Sequence, residues 1–209
     1  MRTKIKICGI TTRADVGQAI ACGCDAVGFV FYKRSPRYVS PRAAAAIIAA
    51  VPAGVERVGV FVNARERTVR QVARRCGLTM VQFHGDESPA FCRRFRGWRI
   101  IKALRVRSAG DISQASRYRT SAVLFDTFSA DGFGGTGRRF DWNLLRRANV
   151  RQTVFLSGGL TPATVAGAVR LVKPAWVDVS SGVERSPGRK DARKIRAFVR
   201  AVKRAEKHD

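Results

Sequence analysis

A lysine and a cysteine share one face of the first extended segment of this 209-residue chain. Polar and apolar residues alternate through positions 4–9, which places the side chains of Lys6 and Cys8 on the same side of a strand. A nearby ammonium favours the thiolate over the thiol and so lowers the pKa of a cysteine. The pair therefore suits a site that needs a thiolate. The alternative is that Cys8 is a small buried side chain and that the lysines lie on a solvated edge.

Polar side chains also end five later extended segments. These side chains are Gln82 and His84, Lys102, Asp126, Ser157, and Asp178 with Ser180. By alternation Gln82 and His84 face the same way, and so do Asp178 and Ser180. A single polar strand end carries little information, whereas polar residues at six strand ends predict one shared site.

Short apolar runs alternate with helical patterns along the whole chain. The predicted strands are 4–8, 25–31, 57–62, 80–84, 99–103, 122–126, 153–157 and 176–180. The predicted helices are 12–22, 41–50, 64–76, 88–95, 142–147, 162–171 and 191–207, with a short one inside 108–119. Eight such units favour an α/β fold, a single (β/α)8 TIM barrel domain over residues 1–209, although that length is small for the fold. A doubly wound open sheet is the structural alternative.

Glycine-rich loops follow the sixth, seventh and eighth predicted strands. They contain Gly134, Gly135 and Gly137, then Ser157, Gly158 and Gly159, and finally Ser180, Ser181 and Gly182. Glycines let backbone N–H groups approach an anion closely, and the loops after strands seven and eight are the usual phosphate site of this barrel. Each cluster alone fits an ordinary tight turn, but the three together predict a phosphate site.

Charge is the most unusual feature of the composition, since 40 basic and 15 acidic residues give a net charge of +25. Such a charge attracts nucleic acid and anionic surfaces without specificity. The arginines lie along the polar sides of helical segments without a recognisable binding motif, so we expect no specific nucleic-acid partner. Five irregularly spaced cysteines and two histidines predict neither structural disulfides nor a metal site. Without a signal peptide or an apolar run of about 18 residues, we expect a cytoplasmic protein and no membrane.

An ordered set of motifs resembles the phosphoribosylanthranilate isomerases of tryptophan biosynthesis over essentially the whole chain. The motifs are Lys6-Ile7-Cys8-Gly9-Ile10-Thr11, Gly28-Phe29-Val30-Phe31 with Ser35-Pro36-Arg37, Val81-Gln82-Phe83-His84-Gly85, Asp126 with Gly134-Gly135-Thr136-Gly137 and Phe140-Asp141-Trp142, Ser157-Gly158-Gly159-Leu160, and Asp178-Val179-Ser180-Ser181-Gly182-Val183-Glu184. No single motif is decisive, but the ordered set is specific. Phe83, where an aliphatic residue is more usual, and the many arginines are the departures.

The resemblance implies an Amadori rearrangement, in which an aminoaldose ring opens and the carbonyl moves from C1′ to C2′. It implies that Cys8 is the general base and Asp126 the general acid. Burial of Asp126 at the barrel mouth and the neighbouring Lys6 would set the two protonation states. The iminium formed on ring opening is an internal electron sink, so we expect no cofactor and no metal.

The resemblance also implies how a small phosphorylated substrate is held. Arg37 matches the family position for binding the anthranilate carboxylate, although it could instead coat an exposed loop. Asp178 either hydrogen-bonds the substrate or pairs with Lys6 or Lys102. We expect Gln82 and His84 to keep the site polar without moving protons, and the protein to be a monomer or a weak homodimer.

Three other functions are weighed against this one. The related sugar isomerisation of histidine biosynthesis uses the same barrel but two aspartates, so an aspartate would stand in place of Cys8. A metal-dependent sugar-phosphate epimerase needs more histidines than this chain has. A nucleic-acid-binding module would interleave aromatic residues with its arginines, and that pattern is absent from the sequence.

Overall fold

Eight parallel strands close into a barrel in chain order in this computed structural model, which describes residues 2–127 and 140–206. The strands are β1 (Lys4–Ile7), β2 (Ala26–Val30), β3 (Glu56–Phe61), β4 (Met80–Phe83), β5 (Arg99–Val106), β6 (Ala122–Thr127), β7 (Thr153–Leu156) and β8 (Trp176–Val179). The first strand pairs with the last, with Lys6 opposite Asp178. This closure confirms the predicted (β/α)8 TIM barrel and excludes the open sheet. That the chain forms a single domain stays a prediction.

Helices follow the strands around the outside of the barrel. They are α1 (Arg13–Ala21), α2 (Pro41–Ile48), α3 (Glu66–Arg75), α4 (Pro89–Arg93), α5 (Ala109–Ser113), α6 (Asn143–Arg146), α7 (Val165–Val172) and α8 (Ala192–Ala205). Two 3-10 helices span Gln114–Arg117 and Ser181–Val183. Within the described ranges, no helix combines the length and the apolar character that a membrane crossing requires.

Side-chain caps explain why several helices begin where the sequence predicts. The hydroxyls of Thr12, Ser40 and Ser88 each accept a hydrogen bond from the backbone N–H three residues later. Such a bond satisfies one of the N–H groups that a helix start leaves unpaired. Proline follows Ser40 and Ser88 at the first helical position, where its missing N–H costs nothing.

The barrel interior is apolar near the amino ends of the strands and polar near their carboxyl ends. Its apolar part is a cluster of Ala26, Val58, Met80, Ile101, Ala103, Ala122, Leu124, Phe155 and Trp176. The rings of Phe155 and Trp176 stack with centroids 4.7 Å apart. A larger cluster fills the space between the strands and the helices. The apolar cluster thus fills the end of the barrel opposite to the polar strand ends, where this fold places its active sites.

Two features of the fold differ from the sequence prediction. Strand β5 continues three residues further than expected, to Val106. A small antiparallel hairpin, β9 (Glu184–Ser186) and β10 (Arg189–Lys190), follows the last barrel strand and was not predicted. Its residues are mostly charged and lack the alternation of apolar side chains by which strands are recognised.

Candidate active site

A pocket opens at the carboxyl ends of the barrel strands. Both Cys8, which follows β1, and Asp126 in β6 line it, so the two predicted proton-transfer groups face one space. The other lining residues are Val30, Tyr32, Ser35, Arg37, Val60, Val62, Gln82, His84, Ser157, Gly158, Gly159, Leu160, Asp178, Val179, Ser180 and Ser181. Barrel closure brings these residues together from seven of the eight strands and the loops that follow them.

Lys6 lies beneath the pocket and is fully buried. Its ammonium donates hydrogen bonds to Gln82 Oε1 and to Asp178 Oδ1, both at 2.9 Å. The orientation of Lys6 into the barrel, which rested on alternation alone, is thereby confirmed. Lys6 and Lys102 were the two lysines predicted as partners of Asp178, and the structure shows that Lys6 is the partner.

Lys102 points away from the barrel interior, because its neighbours Ile101 and Ala103 are the residues of β5 that face inward. Its ammonium donates to the carbonyl oxygen of Gly85 at 2.6 Å and to Glu87 Oε2 at 2.9 Å. It therefore supports the loop that follows β4 and does not contribute to the pocket.

Burial dominates the electrostatics of Cys8. It raises the pKa of the Cys8 thiol above its ordinary value; the Lys6 ammonium opposes this shift, the Asp178 carboxylate adds to it, and Lys190 opposes it. The expectation that Lys6 leaves Cys8 with a lowered pKa is therefore wrong in its net direction. Desolvation of a thiolate outweighs the attraction of one ammonium whose charge Asp178 already balances.

A glycine makes room for the Cys8 sulfur. A Cβ atom added to Gly28 in β2 would lie 2.7 Å from Cys8 Sγ and 3.1 Å from Cys8 Cα. Real Cβ atoms do not approach other atoms this closely, so a side chain here would displace the cysteine. The Gly28-Phe29-Val30-Phe31 motif thus has a packing role next to the proposed base.

Asp126 and His84 are neighbours in the wall of the pocket. Nε2 of His84 is 3.2 Å from Asp126 Oδ2, but the ring is not aligned for a hydrogen bond, and the other carboxyl oxygen accepts from the Thr127 N–H at 2.8 Å. The side-chain oxygen of Gln82 accepts a hydrogen bond from Lys6, so the amide nitrogen of Gln82 is the atom that faces His84 Nδ1, at 2.9 Å. This contact makes Nδ1 the acceptor and leaves the ring proton on Nε2, towards Asp126.

The glycine loops after β7 and β8 border the same pocket. Within residues 2–127 and 140–206, the backbone N–H groups of Gly158 and Gly159 have no acceptor, and both residues have positive φ. Ser180 and Ser181 line the pocket, whereas Gly182 packs against the backbone of Leu160. The third predicted loop, with Gly134, Gly135 and Gly137, lies outside the described residues.

Arg37 reaches the pocket rim with a partner that the sequence did not indicate. Its Nε and Nη2 donate to Glu184 Oε1 and Oε2 at 2.9 and 2.7 Å. Lys190, whose side chain is fully buried, donates to Glu184 Oε1 at 2.7 Å. In the sequence, Glu184 stands out only as the last residue of a motif, and Lys190 does not stand out at all. The β9–β10 hairpin, which was not predicted, brings these two side chains together.

The model of the N-(5′-phosphoribosyl)anthranilate isomerase family matches residues 5–201. The chain belongs to this family. An N-(5′-phosphoribosyl)anthranilate isomerase of Trichlorobacter lovleyi is 50% identical over 97% of this chain and 98% of its own length. The phosphoribosylanthranilate isomerase structure from Thermotoga maritima is 43% identical, with a TM-score of 0.91 over 96% of this chain and 98% of that one.

A structure from Thermus thermophilus is similar as well, at 32% identity and a TM-score of 0.89 over 97% of this chain and 99% of that one. Family membership establishes the activity, the isomerisation of N-(5′-phosphoribosyl)anthranilate in tryptophan biosynthesis. The predicted family, fold and enzyme class are therefore confirmed.

Proposed function

We propose that Cys8 is the general base and Asp126 the general acid of the isomerisation. The observation that carries this proposal is that the thiol and the carboxyl line one pocket although they belong to strands on different sides of the barrel. Both side chains are at least nine-tenths buried. A substrate between them would meet an acid and a base at the same time.

The reaction needs one proton donated and one removed. Asp126 protonates the furanose ring oxygen, the C1′–O bond breaks, and the nitrogen lone pair forms the C1′ iminium. The Cys8 thiolate then removes the C2′ proton. The electron pair of that C–H bond forms the C1′=C2′ double bond, and the π pair of the iminium returns to nitrogen as its lone pair to give the enolamine. Tautomerisation of the enolamine yields the 2′-ketone, with the atoms of substrate and product unchanged in number.

The substrate carries an anion at each end, and the pocket offers a binding group for each. We place the phosphate at the N–H groups of Gly158 and Gly159, which have no acceptor among the described residues, next to Ser180 and Ser181. Gly182, which packs against Leu160, stays a prediction for this site. Gly134, Gly135 and Gly137 remain candidates for the same site. A family structure, 41% identical to this chain, holds reduced 1-(o-carboxyphenylamino)-1-deoxyribulose 5-phosphate, which supports a small phosphorylated ligand here.

Arg37, on the loop that follows β2, is the proposed ligand of the anthranilate carboxylate. Asp178 uses Oδ1 for Lys6 and lines the pocket, so Oδ2 can accept a hydrogen bond from the anthranilate amine. Lys6, Gln82 and His84 complete the site as one chain of contacts between Asp178 and Asp126. Their role is to hold the two carboxyl groups in place.

Removing either proton-transfer group tests the assignment. We expect Cys8→Ala and Asp126→Asn each to lower kcat by about 100-fold or more, since positioned acids and bases contribute about 10²–10⁴-fold. Both variants should still bind the reduced product analogue. Cys92→Ala, which truncates a buried cysteine in α4, is the matched control and should keep near-normal turnover. Near-normal turnover in Cys8→Ala or Asp126→Asn would remove that residue from the mechanism.

We also propose that the protein is a monomer or a weak homodimer located in the cytoplasm. Two copies with a net charge of +25 each repel one another at low salt. All five cysteines are free thiols, which suits a reducing compartment. Sedimentation over a range of protein and salt concentrations tests the oligomeric state, and a tight dimer at low salt would contradict it.

A further inference from the structure

The hairpin that follows β8 is fastened to two loops of the pocket. The hydroxyl of Thr11, just beyond Cys8, donates to the carbonyl oxygen of Gly188 at 2.6 Å. Gly188 has φ +76°, and a Cβ atom there would lie 2.8 Å from the carbonyl oxygen of Pro36. The hairpin therefore packs directly on the loops that carry Cys8 and Arg37.

Glu184 and Lys190 face one another across this hairpin, in register and buried. Glu184 Oε1 accepts hydrogen bonds from Lys190 and from Arg37, and Oε2 accepts one from Arg37. One carboxylate thus lies between two cations. Burial acts to raise the pKa of Glu184, but the hydrogen bond from Arg37 and the charge of Lys190 bring that pKa below its ordinary value. Glu184 is therefore ionised at neutral pH.

Arg37 is fixed in orientation by this contact. Its Nε and Nη2 bind Glu184 side-on, and its Cδ lies against Gly9, where an added Cβ atom would come within 2.6 Å. The N–H groups that remain are those of Nη1 and the second one of Nη2. These form the end-on edge of the guanidinium, which can still grip a carboxylate with two hydrogen bonds.

Lys190 allows Arg37 to attract a second carboxylate although Arg37 is already paired with Glu184. A single Arg37–Glu184 pair would be electrically neutral and would attract a second carboxylate weakly. With Lys190 on the same carboxylate, the three groups carry a net charge of +1. Lys190 also approaches the carbonyl oxygen of Ser180 at 3.1 Å and its hydroxyl at 3.4 Å, which connects this cluster to the proposed phosphate loop.

We infer that Glu184 and Lys190 are positioning residues that turn the end-on edge of Arg37 towards the ring carboxylate of the substrate. The inference rests on the proposed role of Arg37 and adds two residues that act through it. Neither contacts the reacting carbons. Their contribution is to binding and to discrimination between substrates with and without the carboxylate.

Two ligands separate positioning from general support of the fold: the reduced product analogue and the same compound without its ring carboxylate. We expect Glu184→Gln to weaken binding of the first about tenfold, the cost of losing a charged hydrogen-bond partner, and to leave the second within about twofold. In an Arg37→Ala background, Glu184→Gln should add less than about twofold for either ligand, since both substitutions act through one contact.

Glu66→Gln is the matched control, because Glu66 also pairs with two arginines, Arg70 and Arg94, but lies on α3 away from the pocket. It should change neither affinity. If Glu184→Gln does not fold, Arg37→Lys is the second variant, since lysine keeps the charge but cannot form the side-on pair. It should weaken the carboxylated ligand alone.

Four other outcomes would contradict either the positioning role of Glu184 or the carboxylate site at Arg37. Equal weakening of both ligands by Glu184→Gln, or an unchanged affinity for the carboxylated one, would contradict the positioning role while leaving Arg37 in place. A full Glu184→Gln effect in the Arg37→Ala background would also contradict it. An unchanged affinity of Arg37→Ala for the carboxylated ligand would overturn the proposed carboxylate site and this inference with it.

Discussion

Three charged neighbours act on the pKa of Cys8 in opposing directions. Burial and the Asp178 carboxylate raise the pKa of its thiol, while Lys6 and Lys190 lower it. The balance lies on the side of the thiol, so the proposed base has to lose its proton before it can act. The substrate anions would not help this step, because negative charge disfavours a thiolate.

Two substitutions should shift the Cys8 pKa in opposite directions. Asp178→Asn removes a negative charge and frees Lys6, so we expect a lower pKa; Lys190→Met removes a positive charge, so we expect a higher one. Below the pKa the thiolate fraction, and with it the alkylation rate at fixed pH, falls about tenfold for each unit of increase. Iodoacetamide labelling of the Cys8 peptide, followed by mass spectrometry against pH, measures both.

The acid limb of the kcat/KM profile should move with the thiol pKa, to lower pH in Asp178→Asn and to higher pH in Lys190→Met. A limb that stayed in place while the alkylation profile moved would show that the Cys8 ionisation does not limit the reaction.

Lys6 and Asp178 form a buried ion pair that should be costly to break on one side. Lys6→Met leaves Asp178 buried without its counter-cation, so we expect the free energy of unfolding to fall by about 3–5 kcal/mol. The double variant Lys6→Met/Asp178→Leu removes both charges and should recover much of that loss. Urea denaturation of the three proteins tests this, and a double variant no more stable than the single one would contradict it.

At the scale of elements, β2 determines where the end of β1 can lie. Gly28 leaves the space that Cys8 occupies, and Val30 and Val60 pack around the same cysteine. The proposed base is therefore held by packing against β2 and β3, which keeps its sulfur in a fixed position relative to β6 across the barrel.

Gly28→Ala should displace the sulfur and lower kcat. Overpacking of this kind costs about 1–3 kcal/mol of stability. Gly17→Ala is the control, because a Cβ atom at Gly17 in α1 would meet nothing within 4 Å. It should leave kcat unchanged and stabilise the protein by about 0.4–1 kcal/mol. Steady-state kinetics with thermal unfolding checks both, and unchanged kcat in Gly28→Ala would mean that the sulfur can move without consequence.

At the scale of the whole molecule, the net charge of +25 creates a field that attracts a substrate with a phosphate and a carboxylate. Ten of the 40 basic residues lie on α3 and α8, which pack on the outside of the barrel, so their charge acts on encounter and not on the chemical step. Screening by salt acts over a Debye length of about 10 Å at 0.1 M.

We therefore expect kcat/KM to fall several-fold between about 10 mM and 300 mM salt, while kcat at saturation changes little. Titration with sodium chloride, and not with phosphate, avoids competition for the proposed phosphate site. A kcat/KM independent of ionic strength would show that the surface charge has no part in substrate capture.

The eight strands, to within three residues, the barrel and the family could all be predicted from the sequence, and so could most of the side chains that line the pocket. This was possible because alternation of apolar residues fixes which side chains face inward, and because the carboxyl ends of parallel strands share one rim. The folded barrel was needed to show that Lys6 pairs with Asp178, that Lys102 faces outward, and that burial raises the pKa of Cys8. It also supplied Glu184 and Lys190 as the partners of Arg37. Desolvation and ion pairing depend on neighbours that are distant along the chain, and a hairpin of charged residues has no pattern from which such neighbours can be predicted.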